Sequence, residues 1–186
     1  MLFKLFFISL IILYLILAFQ SYIKYKIQKK LYNEAYELSK LKNKKLLVIG
    51  DPIESSTNAL FGSYGYGDIC IDMNLDTSNK NIPLNTILIK NKLENILHKF
   101  NNNSVVIFES ETLEYVDNNQ IEYVINELYR ISNYDIFSIH QLKPNSIFTF
   151  FKTNGYMIFN YIFKKNIYKH NRLFKKHPPY NKFYLF

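Results

Sequence analysis

The sequence predicts an α/β domain with a reduced, doubly wound and mostly parallel sheet, preceded by an N-terminal transmembrane helix. Short continuous apolar runs, each closed by turn-forming or polar residues, alternate with segments whose apolar residues recur at helical spacing. The chain of 186 residues also opens on an apolar segment of membrane length. Beyond that segment there is room for one domain of roughly 100–150 residues.

The N-terminal segment has the length and composition of a membrane anchor. It carries no charge from Leu5 to Phe19, and its apolar character extends from Leu2 to Ile23. About 20 residues of helix cross a hydrocarbon core of about 30 Å. The triplets around Ala18 lack the small final residue of a signal-peptide cut. An uncleaved anchor over residues 1–23 is therefore favoured over a signal peptide or a buried core helix.

Charge then predicts the orientation of the chain. Four lysines lie between residues 24 and 30, whereas only Lys4 and the amino group precede the apolar segment. The positive-inside rule places the bulk of the chain in the cytoplasm.

Residues 24–43 carry apolar residues at steps of four and three, which predicts an amphipathic helical stalk packing on the domain. A helix lying in the membrane interface is the alternative.

The predicted domain spans residues 44–150, and its first half contains three candidate strands. Leu46–Ile49 is an apolar run closed by Gly50 and Pro52, as expected of a strand buried on both faces. Residues 68–74 and 85–90 predict two more strands. The glycine- and tyrosine-rich run between residues 62 and 67 is interpreted as a turn, with a rebuilt cofactor loop as the alternative. A short helix follows, with Asn91 as its candidate cap and one apolar face formed by Leu93, Ile96, Leu97 and Phe100.

The second half repeats the alternation. Val105–Phe108 predicts a central strand, residues 121–131 predict an amphipathic helix, and residues 134–142 predict another strand. On that helix Glu127 lies three residues before Arg130, so we expect an ion pair between them. Strands that alternate with helices in this way predict right-handed crossover units and a parallel sheet.

Polar residues follow the strands at the ends where such sheets bind ligands. In an open parallel sheet the binding crevice lies at the carboxyl ends of the strands, where the connections diverge. Asp72, at the tip of the second strand, is placed to accept two hydrogen bonds from ribose hydroxyls. The four histidines lack ligand spacing and Cys70 is the single cysteine, so neither a metal site nor a disulfide is predicted. The candidate ends carry Gly50 and Asp51, then Asp72, Asn74 and Asp76, then Glu109, Ser110 and Glu111.

Three motifs resemble the class I S-adenosylmethionine-dependent methyltransferases. They are "LLVIGDP", "DICIDMN" and "VVIFESETLEYVDNNQIEYVINELYRIS", and the similarity covers about residues 44–142. The resemblance implies a Rossmann-like fold and S-adenosylmethionine as the cofactor, and it implies no particular catalytic residue. It also implies cofactor binding by Gly50 and Asp51 of the first loop, by Asp72 as the ribose acid and by Glu109, and an acceptor side formed by Ser110, Glu111 and Glu114.

The function expected from this resemblance is methyl transfer to a membrane-associated acceptor. Pro52 and Glu54 stand where the family carries further glycines, and this favours, as the alternative, an inactive membrane-tethered interaction module of the same fold. A third hypothesis, an anchored glycosyltransferase, is prompted by the acids that surround Asp72. It is disfavoured because the charge pattern would leave the domain on the wrong side of the membrane.

The C-terminal segment, residues 151–186, is basic and aromatic. No acidic residue follows Asp135, so residues 136–186 carry a charge of +9, whereas the residues before them carry −1, for a net charge of +8. Lysines interleaved with aromatic residues suit either anionic lipid headgroups or single-stranded nucleic acid. The neighbouring anchor favours the lipid headgroups, and nucleic acid is disfavoured.

Overall fold

The structure is a computed structural model that describes residues 2–52, 61–75, 82–110, 112–117, 119–140 and 182–185. Within these residues, one long helix precedes the sheet, and two helices and two 3-10 turns are described between the strands. The strands are β1 (Lys45–Ile49), β2 (Ile69–Ile71), β3 (Ile87–Ile89), β4 (Val105–Ser110), β5 (Ile136–His140) and β6 (Lys182–Leu185); the helices are α1 (Leu2–Leu41), α2 (Leu93–Ile96) and α3 (Ile121–Ser132), with 3-10 turns at Leu97–Lys99 and Leu113–Tyr115.

The six strands form one sheet in the order β3-β2-β1-β4-β5-β6. Every neighbouring pair is parallel, and Val48 of β1 stands in register with Cys70 of β2 and with Phe108 of β4. The strand order reverses between β1 and β4, as in doubly wound sheets. The predicted α/β class with a mostly parallel sheet is confirmed.

Alternating side chains divide the core into two layers, one on each face of the sheet. Val48 and Phe108 pack beneath α1 with Leu31 and Ala35. Leu47, on the opposite face, packs in the cluster that holds the apolar residues of α2 and α3. Successive strand residues point to opposite faces, and helices cover both. Both faces of β1 and β4 are therefore buried, which explains their continuous apolar runs.

The helix α1 joins the segments predicted as anchor and stalk into one element of 40 residues. Its second half packs on the sheet, where Ile23, Leu31 and Ala35 are fully buried. Its first half exposes large apolar side chains such as Phe6 and Tyr14. Across the residues that the structure describes, no helix is both long enough and apolar enough to cross a membrane. The transmembrane anchor stays a prediction.

Charged side chains tie the elements together at the amino edge of the sheet. Asp135, directly before β5, accepts hydrogen bonds from Lys42 at 2.5 Å and from Lys44 at 2.8 Å. Burial alone would raise the pKa of Asp135, but these two bonds hold that pKa below its usual value. The predicted pair of Glu127 and Arg130 is confirmed at 2.7 Å.

Two local features differ from the sequence-based expectations. The cap of α2 is Lys92 without a side-chain bond, whereas the Asn91 side chain accepts only the neighbouring Lys92 N–H at 2.8 Å and an amide of Asn95. The strand β6 lies at the end of the segment that was interpreted as a basic tail, and it pairs with β5. The sequence "MIFNYIF" at residues 157–163, which suits either a last sheet strand or an interfacial helix, lies outside the described residues.

Candidate functional site

The carboxyl ends of β1, β2 and β4 meet at one edge of the sheet, as the strand pairing requires. Gly50 and Asp51 follow β1, Asp72 follows β2, and Glu109 stands in register with Ile49. After β1 the chain turns to the face covered by α1, and after β4 it turns to the opposite face. These diverging connections form a switch point, the usual place of a ligand crevice in this fold.

Not every predicted site residue is placed by the structure. Glu111 and Asp76 lie outside the described residues. Glu114 lies in the 3-10 turn after β4, and only its backbone is described. Its role at the acceptor side stays a prediction.

Asp72 lies in a partly buried, acidic corner at the end of β2. Its Oδ1 accepts the Asn74 N–H at 2.6 Å, and its carboxylate also accepts the Asp51 backbone N–H. Burial raises the pKa of Asp72, and the negative charge of Asp51 raises it further. A raised carboxylate pKa caused by burial beside a second acid is a feature of binding sites as well as of strand ends.

Glu109 is fully buried and holds the turn that follows β4. Its Oε1 accepts the backbone N–H groups of Thr112 at 2.8 Å and of Leu113 at 3.1 Å. Its Oε2 accepts the hydroxyl of Ser138 on β5. Both carboxylate oxygens therefore bond to the chain itself, so the structure gives Glu109 an internal role in fixing the floor of the expected crevice. Cofactor binding by Glu109 stays a prediction.

Gly50 forms the other side of that floor and permits a close approach between two loops. Its φ is +104°, and a Cβ placed there would lie 2.5 Å from Thr112 Oγ1 and 3.1 Å from the Ser110 carbonyl oxygen. Any other residue would be strained both by its backbone and by this contact. The glycine is thus required by packing, whether or not a cofactor approaches it.

Cys70 lies in the core, beneath the expected crevice. Its Sγ is 3.5 Å from the Gly50 carbonyl oxygen, and the residue is fully buried. Burial raises the pKa of the thiol, and the charges of Asp51 and Asp72 raise it further. A buried thiol of this kind stays protonated at neutral pH and does not act as a nucleophile.

One polar contact at this edge was not predicted from the sequence. Gln28 of α1 is 2% exposed, and its Nε2 donates to Ser110 Oγ at 2.9 Å. Its Oε1 is buried and accepts no hydrogen bond within the described structure. A signal existed in the sequence, because Gln28 lies three residues before Leu31 and seven before Ala35, on the stripe that packs against the sheet.

The glycine- and tyrosine-rich run ends at the opposite, amino edge of the sheet. Gly65 approaches the Tyr32 ring so closely that a Cβ would lie 2.2 Å from it, and Gly67 approaches the Leu46 carbonyl oxygen. Both glycines therefore have a packing role, and the alternative of a rebuilt cofactor loop stays a prediction. The run lines a groove of about 340 Å³ together with Tyr36, Lys40, Asp68 and Thr86.

Metal binding finds no support in the described part of the chain, where no three His, Cys, Asp or Glu side chains cluster around one point. Comparison of the chain with protein-family models, with curated proteins and with solved structures finds no match. The function is therefore inferred from the geometry of this chain.

Proposed function

We propose that the chain is a membrane-anchored, Rossmann-like methyltransferase that binds S-adenosylmethionine at the carboxyl ends of β1 and β2. The observation that carries the proposal is the position of Asp72. It follows the strand next to β1, beside the switch point of a parallel sheet in the order 3-2-1-4-5-6. An acid at this position in dinucleotide-binding sheets accepts the ribose hydroxyls of the ligand.

The chemistry of the corner suits this cofactor. The Asp72 carboxylate has lone pairs beyond those used by the Asn74 and Asp51 N–H groups, and a ribose diol can donate to them. Asp51 and Asp72 also make the corner negative, which favours a ligand that carries a positive sulfonium. Methyl transfer then requires mainly that a nucleophile be held in line with the carbon–sulfur bond.

Exposed apolar side chains support the membrane part of the proposal. Among its described side chains, the first half of α1 presents nine large apolar residues that are between 43% and 64% exposed. At about 100° per residue, they cover about 280° of the helix circumference. A helix that docks on a protein needs one apolar face, whereas a helix that enters a bilayer is apolar almost all round. We call this part of α1 the apolar end; it comprises Phe6, Phe7, Ile8, Ile11, Ile12, Tyr14, Leu15, Ile16 and Phe19.

The second candidate function is an interaction module of the same fold without a cofactor. Specific contacts favour it: Gly50 is packed against Thr112, and the Glu109 carboxylate is occupied by the turn after β4. Pro52 and Glu54 also stand where similar methyltransferases carry glycines that let the cofactor approach the backbone. Under this hypothesis the crevice floor is closed and the membrane tether is the essential part.

Calorimetric titration of the full chain in lipid nanodiscs distinguishes the two functions. The full chain is required because Leu31 and Ala35 of α1 complete the core beneath the sheet. The methyltransferase hypothesis predicts micromolar binding of S-adenosylmethionine and of S-adenosylhomocysteine. The binding should be lost in Asp72→Asn and retained in Asp117→Asn, an exposed charge-matched control. A folded chain that binds neither ligand at millimolar concentration would favour the interaction module.

A further inference from the structure

The helix α1 crosses the sheet in the direction opposite to the strands. Near the end of α1, Lys42 bonds to Asp135, which precedes β5 at the amino edge. Fourteen residues earlier, Gln28 bonds to Ser110, the last residue of β4, at the carboxyl edge. Toward its own start, α1 therefore leaves the sheet at the carboxyl edge, the edge that carries the crevice.

The apolar end begins a short distance beyond that edge. Tyr22 and Tyr25 still pack against Phe61 of the β1–β2 connection, with ring centroids 5.6 and 5.9 Å apart. Phe19 lies nine residues before Gln28, which is about 14 Å along the helix axis. A headgroup layer is about 5–7 Å deep. With Phe19 at the hydrocarbon boundary, the end of β4 stands within about 10 Å of the headgroups.

We infer that the carboxyl edge of the sheet faces the bilayer and that the methyl acceptor is the headgroup of a membrane lipid. The inference rests on the proposed function, because it takes the crevice as the cofactor site and the apolar end as the membrane contact. A soluble acceptor would have to enter between the domain and the membrane, whereas a headgroup already lies there.

The transfer step is chemically complete with these two reactants. A nitrogen or oxygen lone pair of the headgroup forms the new bond to the methyl carbon as the carbon–sulfur bond breaks. The electron pair of that bond stays on sulfur, which gives the neutral thioether S-adenosylhomocysteine. The nucleophile loses one proton to water.

Basic side chains at the same level of α1 add a preference among lipids. Lys26 and Lys30 are both exposed and lie within one turn of Gln28. Lys26 Nζ also stands 5.7 Å from the centre of the Tyr22 ring, at the border of the apolar end. Cations next to a membrane helix attract anionic headgroups. The inferred acceptor surface is therefore an anionic one.

Two probes, each attached to one introduced cysteine, test the orientation from opposite edges of the sheet. Met73, at the carboxyl end of β2, is 51% exposed, and Leu84, before β3 at the amino edge, is fully exposed. Met73→Cys and Leu84→Cys are labelled with one fluorophore in the full chain, while buried Cys70 stays unlabelled. The chains are then bound to phosphatidylserine vesicles that carry headgroup nitroxides. We expect at least about twofold stronger quenching at position 73, because quenching falls steeply with distance from the headgroup layer.

Each outcome of the quenching bears on a different part of the account. Equal quenching at both positions, or stronger quenching at position 84, in a chain that sediments with the vesicles overturns the orientation. A folded chain that stays in the supernatant removes the membrane part of the proposed function and the inference with it.

With labelled S-adenosylmethionine, we expect the methyl label in the lipid extract. Label found only in protein, or S-adenosylmethionine binding with no label in lipid, overturns the lipid acceptor.

Discussion

Gln28 of α1 donates a buried hydrogen bond to the Ser110 hydroxyl at the last residue of β4, with 2.9 Å between the two atoms. This bond fixes the level at which the long helix crosses the sheet. The side-chain oxygen of Gln28, Oε1, has no partner in the described structure. A buried acceptor of this kind lowers stability, because it has lost its hydrogen bonds to water and accepts no hydrogen bond from the protein.

Substitutions at this pair should have unequal effects. Gln28→Met removes the unpaired acceptor and keeps the volume, so the free energy of unfolding should change by less than about 1 kcal/mol. Ser110→Ala keeps the amide and removes its acceptor, so we expect a loss of about 1–3 kcal/mol. Denaturant unfolding in detergent micelles measures both values. A larger loss in Gln28→Met than in Ser110→Ala would contradict this assignment of the bond.

Glu109 should prove necessary for the folded state. Glu109→Ala leaves the partly buried Thr112 N–H and the buried Leu113 N–H without their acceptor, and we expect it to cost about 3 kcal/mol. Glu109→Gln keeps one acceptor oxygen and can donate to Ser138, so it should cost less than half as much. Thermal unfolding compares the two variants. Equal melting temperatures for Glu109→Ala and the unchanged chain would remove the structural role of this carboxylate.

The ties of Asp135 to Lys42 and Lys44 predict a pH dependence of stability. The pKa of Asp135 is lower in the folded chain than in the unfolded one. Its stabilisation is therefore fully present above the ordinary aspartate pKa of about 4 and is lost as pH falls through the folded-state value. Asp135→Asn should lower the free energy of unfolding at pH 7 by about 2 kcal/mol, and the deficit should shrink below about pH 4. A deficit that is constant with pH would show that the ion pairs contribute nothing.

The contribution of Asp72 to stability should depend on pH in the opposite direction from that of Asp135, because the folded-state pKa of Asp72 is raised. Its contribution to stability is present below the unfolded pKa and is lost as pH rises through the folded value. At pH 7 the ionised carboxylate therefore costs stability, and Asp72→Asn should melt at the same or a higher temperature while losing S-adenosylmethionine binding. Such a residue serves binding at the expense of the fold. A clearly lower melting temperature at pH 7 would show that Asp72 serves the fold.

The central strands of the sheet could be predicted because a strand that is buried on both faces has a continuous apolar sequence. Val105–Phe108 is continuously apolar since both layers of the core cover β4. The helix α3 was equally clear, because its buried residues recur at helical spacing. By contrast, β6 was missed. Lys182–Leu185 mixes aromatic residues with a lysine inside a strongly basic segment, and a short strand at a sheet edge needs no continuous apolar run.

The candidate site was predictable in position but not in detail. The alternation of strands and helices was enough to bring Gly50, Asp51 and Asp72 to one edge of the sheet. The roles of individual acids were not predictable, because a carboxylate at a strand end gives the same local sequence whether it binds a ligand or holds a turn. The contacts of Glu109 are those of an acid that holds a turn. The contact of Gln28 with Ser110 was not predicted, because Gln28 lies on a helix that precedes every predicted motif.

The central claim, a cofactor crevice at the carboxyl ends of β1 and β2, is tested most directly by amide chemical-shift mapping. The full chain in nanodiscs, labelled with ¹⁵N, is titrated with S-adenosylmethionine. The account predicts saturable shifts at the amides of Gly50, Asp51 and Asp72, with Thr86 in the amino-edge groove unchanged. Shifts confined to that groove, or none at millimolar cofactor, would contradict it.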